Sequence, residues 1–150
     1  MSYSKDDLLF APLGGSGEIG MNVNLYHFRD SWIMVDLGIS FPDESTPGVD
    51  IILPDLKFIA DRREKLAGLV LTHAHEDHFG AIPYLWSQIG CPIYGTAFTI
   101  ALLRRKLSES RVALDIPLHE IGMNAPFNLG SFEIEMVALN HSIPDPAALA

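Results

Sequence analysis

Two periodicities divide this 150-residue chain into predicted strands and predicted helices. Over residues 21–28, Met21, Val23 and Leu25 fall on one face and Asn22, Asn24 and Tyr26 on the other, a repeat of two that predicts a strand. Residues 7–12, with the apolar run Leu8-Leu9-Phe10-Ala11, predict a short strand before it. Arg29-Asp30-Ser31 predicts a turn, and 32–36 the second arm of a hairpin. The Pro-, Gly- and acid-rich segment 38–54 reads as loop. Asp55 is placed to cap a helix running to about Leu66, with Leu56, Ile59 and Ala60 inward. Leu69-Val70-Leu71 is apolar throughout, the mark of a strand buried on both faces.

Beyond that strand the pattern lengthens. A helix is predicted from about Phe79 to Gln88, a strand over 92–94, and a helix over 97–108 with Phe98, Leu102 and Leu103 on its inward stripe. Arg104, Arg105 and Lys106 lie near the C-terminal end of that helix, where its dipole favours cations. Asn128-Leu129-Gly130 predicts a turn into a strand over 132–139, in which Phe132, Ile134 and Met136 alternate with Glu133 and Glu135. Hairpins mixed with strand–helix–strand units predict an α+β fold, with sheets covered by outer helices.

Composition narrows the setting. At 48% hydrophobic, the chain has enough apolar material for one domain with a real core, and no linker or repeat divides 1–150. No apolar run approaches the ~20 residues that span a bilayer, and the first residues lack a secretory pattern. The single cysteine, Cys91, excludes an intrachain disulfide and reads as a core residue in a reducing compartment, so a cytoplasmic protein is expected. The formal charge of −9 lacks the basic footprint of a protein that tracks a phosphate backbone. A nucleic-acid role would need carboxylates used as metal ligands, or basic surface carried on other segments.

Two stretches carry candidate chemistry. From Gly15, the sequence Gly-Ser-Gly-Glu-Ile-Gly spells G-x-G-x-x-G, and Asp36 stands about 20 residues on, as in a dinucleotide-binding fold. That fold requires a helix after the glycines, whereas 21–28 predicts a strand, so no dinucleotide is expected. The glycines instead allow a hairpin loop to pass close to a site, with Glu18 or Asn22 near it.

The second stretch is Thr72-His73-Ala74-His75-Glu76-Asp77-His78, directly after the buried strand. Imidazole and carboxylate without sulfur suit Zn²⁺ or Mn²⁺. His73 and His75, two apart on an extended backbone, point to one side and can chelate one ion. Asp77 and His78, where the chain turns into a helix, can diverge toward another. Three histidines in so short a span argue against a merely solvated loop.

The H-x-H-x-D-H run after a hydrophobic strand resembles the signature of the metallo-β-lactamase superfamily, whose fold is a four-layer αββα sandwich with a dinuclear site at one edge. The flanking residues resemble the ribonuclease J family, in its β-CASP branch. These are Phe10-Ala11-Pro12-Leu13-Gly14-Gly15-Ser16-Gly17-Glu18-Ile19-Gly20 with Asn22, and Pro47-Gly48-Val49-Asp50 with Leu53-Pro54-Asp55. They continue with 71–85, including Gly80, Ile82, Pro83 and Tyr84, then Pro92-Ile93-Tyr94-Gly95-Thr96, and His141-Ser142-Ile143-Pro144-Asp145.

The resemblance implies that His73, His75 and His141 bind a first metal ion and Asp77 and His78 a second. It implies that Asp36 sits behind the ligands to orient them; without it, Asp36 reads equally as a strand-end turn residue. Ser142 could meet the site or a phosphate, or be a turn hydroxyl. Asp50, in the acidic loop, is a candidate for a structural cation, although a solvated loop explains it better. His27 and His119 match nothing.

The implied activity is RNA cleavage, 5′-to-3′ exonucleolytic and endonucleolytic, by a metal-activated hydroxide, in RNA maturation and decay, with Asp77 as the catalytic carboxylate. Such enzymes are longer and expected to be homo-oligomeric. Residues 1–150 then correspond to the N-terminal half of the αββα domain, without the β-CASP insert, the remaining ligands or most of the RNA contacts, and are expected to be inactive alone. The rival expectations are a hydrolase of the same fold acting on an ester or thioester, and a non-catalytic RNA-binding or assembly module.

Overall fold

The computed structural model describes residues 4–110 and 115–150. In chain order its elements are β1 (Leu9–Gly14), β2 (Val23–Phe28), β3 (Ser31–Val35), α1 (Lys57–Ala60), β4 (Leu66–Val70), α2 (Glu76–Phe79) and α3 (Ile82–Ile89). β5 (Ile93–Gly95), α4 (Ala97–Glu109), β6 (Leu118–Glu120), β7 (Phe127–Leu129), β8 (Phe132–Ile134), β9 (Met136–Ala138) and β10 (Ala147–Leu149) follow. Strands β1 to β6 form one sheet in sequence order; β1–β2 and β2–β3 pair antiparallel, and β3 through β6 pair parallel. Parallel neighbours need crossovers, which α1, α2 with α3, and α4 provide.

Both faces of this sheet are covered. Val23, Leu25, Met34, Leu69 and Ile93 pack toward Ile59, Ile82, Leu85, Ile100 and Leu103 of the helices. On the opposite face Ile33 and Val70 meet Leu129, Ile134, Met136 and Ala147 from two small hairpins, β7–β8 and β9–β10. The layers are therefore helix, sheet, sheet: three of the four in an αββα sandwich. Cys91 is buried, and burial pushes its thiol up to about 12, as befits a core residue. Among the described residues no helix is long and apolar enough to cross a membrane.

The expected elements are present with altered bounds. Alternation over β2 is realised as buried Val23, Leu25 and His27 against half-buried Asn24, Tyr26 and Phe28. The helix expected from Asp55 to Leu66 is a single turn, α1, followed by a 3₁₀ turn. Residues 61–65 are all exposed, so no apolar stripe holds a longer helix together, and Leu66 already pairs with Trp32 in the sheet. The helix expected over 79–88 is two pieces interrupted at Gly80-Ala81, with Pro83 in the first turn of α3, where its missing N–H costs nothing.

The strand expected over 132–139 is also divided. It changes partner at Glu135, from β7 on one side to β10 on the other. In α4 Leu103 is buried as expected, but its buried companions are Thr99 and Ile100; Phe98 and Leu102 are half-buried. The N-cap of α4, Thr96, accepts from Thr99 N–H at 3.3 Å, and Ile100, in the next turn, is fully buried. Ile100→Ala is expected to cost about 2–5 kcal/mol in urea unfolding, well above Phe98→Ala. A larger cost at Phe98 would restore the expected stripe.

Candidate metal centre

Parallel pairing of β3 with β4 decides where the chemistry collects. Val35 lies opposite Val70, so Asp36 and Thr72 leave the sheet on the same edge. Asp36 N–H donates to the Val70 carbonyl at 3.0 Å, and its backbone then turns left-handed (φ 63°), a conformation that aspartate tolerates better than most residues. The side chain is buried, and a buried carboxylate requires donors. Thr72 N–H donates to Oδ1 at 2.8 Å; Oδ2 lies 2.8 Å from Thr72 Oγ1 and 2.7 Å from His78 Nδ1.

The turn bearing Asp77 and His78 is held by backbone. Leu37 N–H donates to the His78 carbonyl at 2.7 Å, Ile39 N–H to that of Glu76 at 3.0 Å, and Asn22 N–H to that of Asp77 at 2.9 Å. A Cβ on Gly38 would overlap the Asp77 carbonyl, so this close approach needs glycine. The glycine loop opens strand β2, not a helix, and delivers Asn22 to the same turn. Asn22 Nδ2 lies 3.0 Å from the Asp77 carbonyl, 3.2 Å from Asp77 Oδ2 and 3.2 Å from His78 Nε2.

His141 arrives from the other layer. It sits in the loop between β9 and β10, and Ala147 N–H donates to the Thr72 carbonyl at 3.0 Å, fastening that hairpin to the end of β4. His75 Nδ1 is 3.1 Å from His73 Nε2 and 3.2 Å from His141 Nε2. Four ligands at about 2.0–2.1 Å around one tetrahedral ion stand about 3.3 Å apart. The spacing and the donor set therefore fit a divalent ion, and among the described residues this trio is the group that could hold one. Beside it lie His78, with its ring centroid 4.0 Å from that of His73, and Asp77, whose Oδ2 is 3.4 Å from His78 Nε2.

The other candidates are not members of the histidine trio. Glu18 is exposed and accepts from Gly15 N–H at 3.1 Å, closing its own loop. Ser142 is exposed next to His141, and Asp50 is exposed in the 38–54 loop, outside the ligand cluster. His27 packs on Trp32 and His119 on Tyr94, both remote from the cluster. Thr72 was missed; its only sequence signal is its place directly before His73. Glu76, inside the motif, is drawn away by Lys106 Nζ, at 2.8 and 2.7 Å from its two oxygens.

Electrostatics separate two neighbouring rings. Burial, then the charges that His78, His75 and His141 can carry, pull His73 down to about 4, offset in part by Asp77. Burial also opposes a charge on His78, but the Asp36 hydrogen bond and the Asp36 and Asp77 charges outweigh it and hold its pKa above the usual histidine value. In the metal-free chain His73 is expected to titrate near pH 4 and His78 above about 6.5. Between those values an unfolded chain takes up the His73 proton that the folded chain refuses, so His73 costs stability as pH falls. His78 has the opposite sign: its contribution is complete below about 6.5 and is lost as pH rises through its raised folded pKa. Histidine ring signals followed by NMR across pH 3.5–8.5, about the span of those two values, test this; both rings titrating together near 6.5 would refute it.

The sequence profile of the metallo-beta-lactamase superfamily matches residues 18–147. Ribonuclease J of Sinorhizobium meliloti is 44% identical over 148 residues, covering 96% of this chain and 26% of that protein. Ribonuclease J of Mycolicibacterium smegmatis is 45% identical over 139 residues, 92% of this chain and 25% of that protein. The chain thus spans about a quarter of the length of these curated relatives. A metallo-beta-lactamase from Cronobacter sakazakii shares the fold at a TM-score of 0.62 and 17% identity, over 92% of this chain and 50% of that one. The profile runs from the glycine loop through the histidine motif to the hairpin that carries His141, and on that ground the chain, similar along almost its whole length to ribonucleases J, belongs to the metallo-beta-lactamase superfamily.

Proposed function

We propose that this chain is the metal-binding part of a ribonuclease that hydrolyses RNA phosphodiesters, both from the 5′ end and internally. The observation that carries the reading is the convergence of His73, His75 and His141 nitrogens within 3.1–3.2 Å of one another through His75, beside Asp77 and His78. The 44–45% identity to ribonucleases J supports RNA as the substrate class.

In this reading His73, His75 and His141 hold one divalent ion, zinc or manganese, and Asp77 and His78 contribute to a second. Such ions supply Lewis-acid charge for the phosphoryl oxygens and make water a nucleophile at neutral pH. Asp36 orients His78, Gly38 and Asn22 fix the turn that aims Asp77, and the Asp77 carboxylate takes up the proton of the attacking water. Nineteen acidic against ten basic residues leave this chain poorly suited to grip RNA by itself. We place the remaining ligands of the second ion, the basic RNA-binding surface and the contacts of a homo-oligomer in segments outside residues 1–150, and expect the 1–150 chain alone not to cleave RNA. A cytoplasmic setting accords with RNA as substrate.

Isothermal titration of the chain with Zn²⁺ is expected to show one tight equivalent, abolished by His73→Ala. The 150 residues within a full-length ribonuclease context should cleave a 5′-monophosphorylated RNA and leave a thioester intact, and His73→Ala should abolish that cleavage. Thioester hydrolysis without RNA cleavage would move the chain to another branch of the superfamily. RNA binding without any hydrolysis would make it a binding module.

A further inference from the structure

We propose that Thr72 is a positioning residue that sets the tautomer of His73. The proposal rests on reading His73 as a metal ligand, and its test separates the two.

The argument is one of hydrogen-bond accounting. A carboxylate accepts and cannot donate. Asp36 Oδ2 therefore receives a proton along each of its short contacts, from Thr72 Oγ1 at 2.8 Å and from His78 Nδ1 at 2.7 Å. The threonine hydroxyl has one hydrogen, and Asp36 takes it. Toward His73 Nδ1, 3.0 Å away, Thr72 Oγ1 is left only as an acceptor, so Nδ1 carries the hydrogen. A neutral imidazole has one N–H, so the lone pair of His73 lies on Nε2, the atom that faces His75 Nδ1 at 3.1 Å.

One carboxylate oxygen thereby orients two rings, His78 directly and His73 through the hydroxyl, and leaves the lone pair of each neutral ring on Nε2. The hydroxyl has little room to wander. Thr72 N–H is bound to Asp36 Oδ1 at 2.8 Å and its carbonyl receives Ala147 N–H at 3.0 Å, so the backbone is fixed from both layers. Thr72 Oγ1 is also 3.4 Å from His78 Nδ1, but the shorter contact to Asp36 claims that proton. Without the hydroxyl, the buried Nδ1–H of His73 loses its acceptor and the tautomer with hydrogen on Nε2 gains ground, which blocks the ligating lone pair.

Thr72→Val keeps the branched shape and removes the hydroxyl, whereas Thr72→Ser restores it. Long-range ¹H–¹⁵N spectra of the imidazoles, recorded on the metal-free chain above the histidine titration range, report the tautomers. Wild type and Thr72→Ser are expected to show His73 protonated on Nδ1 alone. Thr72→Val should shift His73 toward Nε2–H while His78, bonded directly to Asp36, stays as it was; general loosening of the edge would disturb both rings. In parallel, Zn²⁺ affinity should fall on the order of 10-fold in Thr72→Val and recover in Thr72→Ser.

An Nε2–H tautomer at His73 in the wild type overturns the proposal without any variant. So does a Thr72→Val spectrum unchanged at His73. Failure of the wild type to bind Zn²⁺ overturns the metal reading instead, and the tautomer result stands or falls by itself.

Discussion

A carboxylate taken out of water must be met by donors, and nearly everything at this edge follows from how Asp36 meets that demand. It sits at the end of β3 in a left-handed turn and gathers three donors, two from Thr72 and one from His78. Those bonds draw the motif back against the sheet, so that His73 and His78 stand close enough for their rings to touch. The strain of a non-glycine residue at positive φ is of order 1–3 kcal/mol and persists because the surrounding bonds over-determine it. The bond from Ala147 N–H to the Thr72 carbonyl then anchors the hairpin whose loop brings His141 to His73 and His75.

The direction of the strands explains why three separate parts of the chain meet there. β3 and β4 run parallel, so both end at the same edge. The carboxyl ends of parallel strands are where open sheets leave a crevice. Antiparallel β2 begins at that edge, which is why the glycine loop before it can place Asn22 against Asp77. The hairpin on the second sheet supplies the third histidine across the layer boundary. A site assembled from both sheets depends on their packing, so the apolar contact of Ile33 and Val70 with Met136 and Ala147 serves the metal edge as well as the core.

The motif itself was legible because its chemistry is local: His73, His75, Asp77 and His78 fall within six residues. The alternation in β2 and the apolar run in β4 were legible for the same reason, each being a pattern within one element. The convergence of His141 was not carried by its own surroundings, since a lone histidine after a strand has no periodicity to mark it; the family resemblance singled it out. Thr72 was hidden because threonine at the end of a strand is ordinary, and its role exists only through Asp36, 36 positions away. Helix lengths were misjudged wherever tertiary pairing overrode local preference, as at Leu66, where the sheet claims a residue that capping and spacing had assigned to a helix.

Glu76 shows how the fold sorts ligands that composition leaves equivalent. It is a carboxylate placed between His75 and Asp77, and on residue type alone it could compete for a cation. Lys106 of α4 takes both of its oxygens, and the same ammonium lies 5.4 Å from the centre of the Phe79 ring. The helix turn directs Glu76 toward α4, and Gly80 leaves room for it, since a Cβ there would meet the Glu76 carbonyl and crowd its carboxylate. Asp77, one residue on, faces Asn22 and His78 instead. A helical step of about 100° separates adjacent side chains. That rotation, set by the turn of α2, leaves one carboxylate to brace α4 against the motif and the other to face the histidines.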